Sequence, residues 1–134
     1  MMEYPKSQHG NYKIRVEGKV LFIKGIGSWN QETVNHFCAS LLELIKPISD
    51  KPWCMIVDLL EWELCAPDAW DDFDRVLGIF LDNGLIFQAI MTDTIIAHHL
   101  MERQKDRAPS LLKTEFHESE QAAIAACEKY LKLA

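Results

Sequence analysis

Two stretches of the chain, Cys54-Met55-Ile56-Val57 and Leu85-Ile86-Phe87-Gln88-Ala89-Ile90-Met91, are apolar almost without interruption. Runs of this length, bounded by turn residues, read as strands covered on both faces, the kind found inside parallel sheets. A stripe of a different period stands on either side of the first run. Val34, Phe37, Cys38, Leu41 and Ile45 recur at helical spacing, and so do Trp70, Phe73, Leu77, Phe80 and Leu81. Strand, one-sided helix, strand is the order of a crossover unit, which requires its strands to run in parallel.

The rest of the chain extends that frame. Tyr12, Ile14 and Val16 alternate with Lys13, Arg15 and Glu17, the period of a half-buried strand, and Gly18-Lys19 turns the chain into a second strand at Val20–Ile23. Two turn residues allow only an antiparallel return. Gly25, Gly27 and Ser28 then break the strand. Ser28 or Asn30 caps the first helix, and Pro47 ends it. Leu60 to Ala66 reads as a loop. Pro67 suits the first turn of the second helix, and Asn83-Gly84 its left-handed stop. Asp93 or Thr94 caps a third helix through about Arg107, Leu111 to Phe116 forms an edge strand, and Ser119 opens a last helix burying Ala123, Cys127, Tyr130 and Leu131. The expected class is α/β: one domain over 11–134, preceded by a flexible arm over 1–10. Its five-stranded sheet is mixed but mostly parallel, with an N-terminal antiparallel hairpin and four helices in the order β-β-α-β-α-β-α-β-α.

Composition narrows the function classes. At 134 residues, 49% hydrophobic and 25% charged, the chain has the balance of one folded domain rather than of a disordered segment. Its formal charge of −6 argues against a nucleic-acid footprint. The acidity is concentrated: from Cys54 to Asp93, Arg75 alone stands against nine acids. That stretch repels phosphates and anionic lipid; it reads either as a solvated helix surface that keeps the protein soluble or as a face that attracts a basic partner. Cys38, Cys54, Cys65 and Cys127 contain no closely spaced pair, so neither a zinc site nor a dithiol motif is expected, and free thiols suit a reducing cytoplasm. No secretion signal or membrane-length apolar run is evident.

The element order, the hairpin Tyr12–Ile23, the strand ending Ile56-Val57-Asp58-Leu59, the helix carrying Ala69-Trp70 and Phe73, and the close Phe116…Glu120-x-Ala122 together resemble the SpoIIAA-like or STAS superfamily. Within it, the closer resemblance is to the small bacterial stand-alone STAS/Sec14-like proteins. The resemblance spans about Asn11 to Leu131. It implies a non-enzymatic, cofactor-free regulatory or protein-interaction domain whose partners meet the loops after the parallel strands. Regulatory members carry a phosphorylatable serine just after the Asp-Leu of that strand. Here Leu60 follows Asp58-Leu59, and no Ser or Thr occurs from Cys54 to Met91. Leucine cannot take a phosphoryl group, so that switch is not expected here.

The candidate contact surface is Glu61, Trp62, Asp68, Asp71 and Asp72, at the carboxyl end of the central strand and the start of the acidic helix. The plainer reading makes Trp62 a core lid and leaves Glu61 and Glu63 simply solvated. A homodimer is a second expectation. Its mildly basic third helix (His98, His99, Arg103, Lys105, Arg107) would meet the acidic helix of a copy, with Trp29, Trp53 or Trp62 supplying apolar burial. The alternative function is a Sec14-like carrier holding a small apolar or lipid ligand against Phe73, Leu77, Phe87, Met91, Ile96 and Leu100. Adjacent His98 and His99 point about 100° apart on a helix and lack a third ligand, so no metal site is expected.

Overall fold

The computed structural model describes residues 2–3, 10–65, 68–93, 95, 99 and 112–134, with only the backbone described at 2–3 and 64–65. Alternation and turn chemistry build the first part as expected. Strand β2 (Asn11–Glu17) turns at Gly18, whose φ of +60° suits a residue without Cβ, into β3 (Val20–Trp29). Their antiparallel register pairs Ile14 with Ile23 and Val16 with Leu21. Helix α1 (Gln31–Leu44) is capped by Asn30, whose side chain accepts from the Thr33 N–H at 2.9 Å. A short 3-10 turn, Lys46–Ile48, carries Pro47 at its start and leads into β4 (Trp53–Cys65). Helix α2 (Ala69–Asp82) follows, then β5 (Leu85–Met91), β6 (Lys113–His117) and α3 (Glu120–Leu133), the last capped by Ser119 on the Ala122 N–H.

One six-stranded sheet results, with its strands in chain order. The pairs β3–β4, β4–β5 and β5–β6 are parallel, and the N-terminal pairs are antiparallel. Each parallel connection steps one place in the same direction, so right-handed crossovers must put α1 and α2 on one face. They bury that face with Tyr12, Ile14, Leu21, Ile23, Met55 and Leu85 beneath Val34, Phe37, Leu41, Val76 and Phe80. The chain leaves β6 toward the other face, where Ala123, Ala126 and Cys127 of α3 cover Phe22, Cys54, Ile56, Phe87, Ala89 and Met91.

The expected architecture needs several corrections. A sixth strand, β1 (Met2–Glu3), lies within the stretch read as an arm and pairs antiparallel with Lys13 and Ile14. The described residues hold three α-helices rather than four. The helix expected over 94–107 lies outside them apart from positions 95 and 99. The supposed loop from Leu60 is strand: β4 continues to Cys65 along β3, which itself runs to Trp29 through the glycines read as breakers. Register shifts at Lys24/Ile26 and Gly27/Trp29 absorb them. Gly25 is needed inside the strand, because a Cβ there would lie 2.9 Å from Cδ1 of Trp62.

Candidate functional site

Beyond Asp58, which pairs with Met91 at the end of β5, β4 keeps only β3 as a paired neighbour among the described strands. This β3–β4 ribbon projects at the carboxyl end of the parallel strands, where open α/β sheets ordinarily receive ligands. Aromatic rings fill its helix-facing side. Trp29 meets Tyr12, Phe37, Trp62 and Phe73 edge to face, with centroids 4.7–6.4 Å apart, and Trp62 meets Trp70 at 5.9 Å. Trp70 continues the chain of contacts to Phe73 at 5.7 Å and to His99 at 5.8 Å. Such pairs contribute about 0.5–1.5 kcal/mol each beyond area burial. The Trp29 indole N–H donates to the carbonyls of Asn11 (3.0 Å) and Ile26 (3.1 Å), which fixes the ring at the centre of the cluster. Behind it the Tyr12 hydroxyl lies 2.7 Å from His36 Nδ1 and 3.1 Å from Ser40 Oγ, tying β2 to α1.

The structure separates the five residues expected to form one surface. Trp62 is 9% exposed and belongs to the core, the position that the plainer reading of it as a lid gives it. Glu61 lies on the opposite side of the ribbon, because side chains alternate along a strand. There its carboxylate accepts from Lys24 Nζ at 2.6 Å, and this hydrogen bond holds it below the usual carboxylate range. Both partners are substantially exposed, so the pair adds little stability. Asp72 is half-buried between helices. It accepts from Gln31 Nε2 at 2.8 Å and faces Arg75 at 3.5 Å. Asp68 and Asp71 remain exposed at the start of α2, where Asp68 is the N-cap without a side-chain capping bond. The projecting ribbon thus has Glu61 and Glu63 on one side and Asp68 and Asp71 at the helix start beyond its other side. Leu60, 51% exposed, stands between Asp58 and Glu61.

Two further expectations change. Trp29, Trp53 and Trp62 are all buried in the protomer, so none supplies the apolar contact of a dimer. Trp53 has its indole N–H on the Asn83 carbonyl at 2.8 Å and its ring against Phe80. The proposed pocket lining is divided by the sheet: Phe73 and Leu77 pack on the α1/α2 face, whereas Phe87 and Met91 pack under α3. Ile96 and Leu100, like His98, Arg103, Lys105 and Arg107, lie outside the described residues. The strand extension has a local signal in Leu60-Glu61-Trp62-Glu63-Leu64, which alternates apolar and acidic residues with the period 2 of a strand. Among the described residues no group of three or more His, Cys, Asp or Glu could hold a metal ion, and no helix is long and apolar enough to cross a membrane.

No family model matches the sequence, and no curated protein does. The fold is similar to that of a crystal structure from Shewanella loihica PV-4, an uncharacterized protein of the DUF3478 family with a SpoIIAA-like fold. The TM-score is 0.70, covering 91% of this chain and 98% of that one at 17% sequence identity. The chain therefore has a SpoIIAA-like fold, as its resemblance to the SpoIIAA-like or STAS superfamily implied.

Proposed function

We propose that the protein is a non-enzymatic STAS-type interaction domain that docks a basic protein surface at the carboxyl end of its sheet. The observation that carries this reading is the ring-filled ribbon end with carboxylates on both sides. A contact domain needs a rigid, charged projection, and interlocked aromatic rings supply the rigidity. Glu61 is paired with Lys24, while Glu63, Asp68 and Asp71 supply the charge. Their field disfavours a phosphate or carboxylate ligand at the α2 N-terminus, and would speed encounter with a cationic partner at low salt. Docking there involves no covalent change, in keeping with Leu60 at the place where regulatory relatives carry serine.

Reversal of charge in the double variant Asp68→Lys/Asp71→Lys tests this. The variant should lose most capture of the cellular partner in a pull-down at low salt, while its circular-dichroism melt stays close to the parent's. Equal capture by parent and variant would refute the reading. A small-ligand carrier is the second reading, favoured by Trp62 Nε1 and Thr92 Oγ1, which are buried with no hydrogen-bond partner among the described residues. Native mass spectrometry of protein made in cells separates the two. A retained small molecule supports the carrier, and a bare polypeptide mass supports the contact domain.

A further inference from the structure

On the face away from the ring-filled ribbon, α3 approaches the sheet through small side chains, and two residues of this contact carry thiols. Cys54 lies near the start of β4 and Cys127 on α3. Both are fully buried and free. They are 73 positions apart in sequence, yet Cys54 Sγ donates to the Cys127 carbonyl at 3.8 Å, and both residues sit in the same buried cluster. Ala123 and Ala126 flank Cys127 and let the helix sit close to Ala89 and Ile56. Cys38 belongs to the cluster on the other side of the sheet.

We propose that Cys54 and Cys127 form a redox-sensitive pair that a peroxide closes into an internal disulfide, clamping α3 to the central strand. The Cys54 thiolate attacks one oxygen of the peroxide, the O–O bond breaks, and Cys54 becomes a sulfenic acid as hydroxide leaves. The Cys127 sulfur then attacks the Cys54 sulfur. The S–O bond breaks, and its oxygen departs as water with the proton from Cys127. Two thiols lose two electrons and two protons, and hydrogen peroxide becomes two waters. The roles follow from the contact. The neighbouring Cys127 side chain lowers the Cys54 thiol's pKa against the opposing effect of burial, whereas Cys54 and burial together raise that of Cys127.

Because both sulfurs are sealed from solvent, the oxidant enters only when α3 lifts. A helix that packs on its face of the sheet through small side chains opens at lower free energy than the whole domain. Oxidation should therefore be slow in buffer and faster in urea below the unfolding transition. The disulfide would close a long loop of the unfolded chain, so the melting temperature should rise by about 5–15 °C.

The test treats the reduced full chain with hydrogen peroxide, blocks remaining thiols and measures intact mass, a non-reducing peptide map and a thermal melt. The expected result is a loss of about 2 Da, a linked peptide pair containing Cys54 and Cys127, a raised melting temperature and reversal by dithiothreitol. Cys54→Ala and Cys127→Ala should each abolish the linked pair. Should either variant fail to fold, the map of the unsubstituted protein carries the result alone. Oxygen adducts without a link, a link to Cys38 or Cys65 instead, no reaction even in mild urea, or an unchanged melting temperature after linkage would each overturn the proposal.

Discussion

The two faces of the sheet are packed on different principles. Beneath α1 and α2 the space is filled by large rings: Tyr12, Trp29, Phe37, Trp53, Trp62 and Phe80. Beneath α3 the helix contributes the small residues Ala123, Ala126 and Cys127, and the sheet answers with Phe22, Cys54, Ile56, Phe87, Ala89 and Met91. Half-buried Tyr130 of α3 stacks on the fully buried Phe87 with centroids 4.2 Å apart. A thick aromatic layer fails when a ring is removed, because its neighbours cannot collapse into the gap. A helix seated on a sheet through its own small side chains fails when one of them is enlarged. Trp29→Ala should thus cost about 3–5 kcal/mol in urea unfolding, whereas Ala123→Leu should cost about 1–3 kcal/mol by overpacking. If Ala123→Leu is neutral or stabilising, α3 stands further off the sheet than its buried alanines indicate, and the contrast between the faces breaks down.

How far each face was legible in sequence follows from the same contrast. The stripe Val34, Phe37, Cys38, Leu41 and Ile45 is buried as its spacing predicts, and Asn30, Ser119 and the Asn83-Gly84 stop behave as their turn chemistry requires. Local signals suffice for elements whose neighbours are determined by period alone. The ribbon end was misread because its glycines carry two meanings. Gly25 looks like a strand breaker, but it is small because Trp62 on the next strand approaches it, and no local pattern announces that partner. With β3 ended too early, Leu60 to Cys65 had nothing to pair with and read as a loop. The division of Phe73 and Leu77 from Phe87 and Met91 was equally hidden, since assigning them to faces requires the strand register. The two-residue β1 is too short to carry any period.

At the ribbon end the comparison sharpens to two neighbouring acids. Asp72 joins the starts of α1 and α2 through Gln31, whereas Asp68 caps α2 without using its side chain. Asp72→Ala should cost about 1 kcal/mol, the worth of a typical hydrogen bond, and Asp68→Ala should stay within about 0.5 kcal/mol. Denaturant midpoints at equal slope measure both. Equal costs would mean that the interhelical hydrogen bond contributes nothing, and that charge at this end is tuned for partners throughout. This difference is also why the docking variant reverses Asp68 and Asp71 and leaves Asp72 alone.

The smallest effect concerns how α3 is tied to β6. Glu115 on β6 accepts from the Tyr130 hydroxyl of α3 at 2.9 Å, and its other oxygen lies 2.9 Å from His117 Nε2. The Tyr130 bond, the largest effect, holds this carboxyl below its usual range against the opposing effect of burial, and His117 adds a smaller lowering. A carboxylate with a depressed folded pKa contributes stability that is fully present above the unfolded value, near 4.3. That contribution disappears as pH falls through the folded value. The side chain is one-third exposed, so solvent keeps the effect below about 1 kcal/mol. Thermal melts of the parent and Glu115→Gln should therefore differ at pH 7, with the parent higher, and converge on acidification below about pH 4. Tyr130→Phe should remove most of the same pH-dependent difference, because it deletes the leading hydrogen bond and keeps the ring stacked on Phe87. A parent–variant gap that stays constant from pH 7 to acid would mean that Glu115 acts through packing rather than charge. The α3 face would then rest on its buried apolar residues and the Tyr130–Phe87 stack.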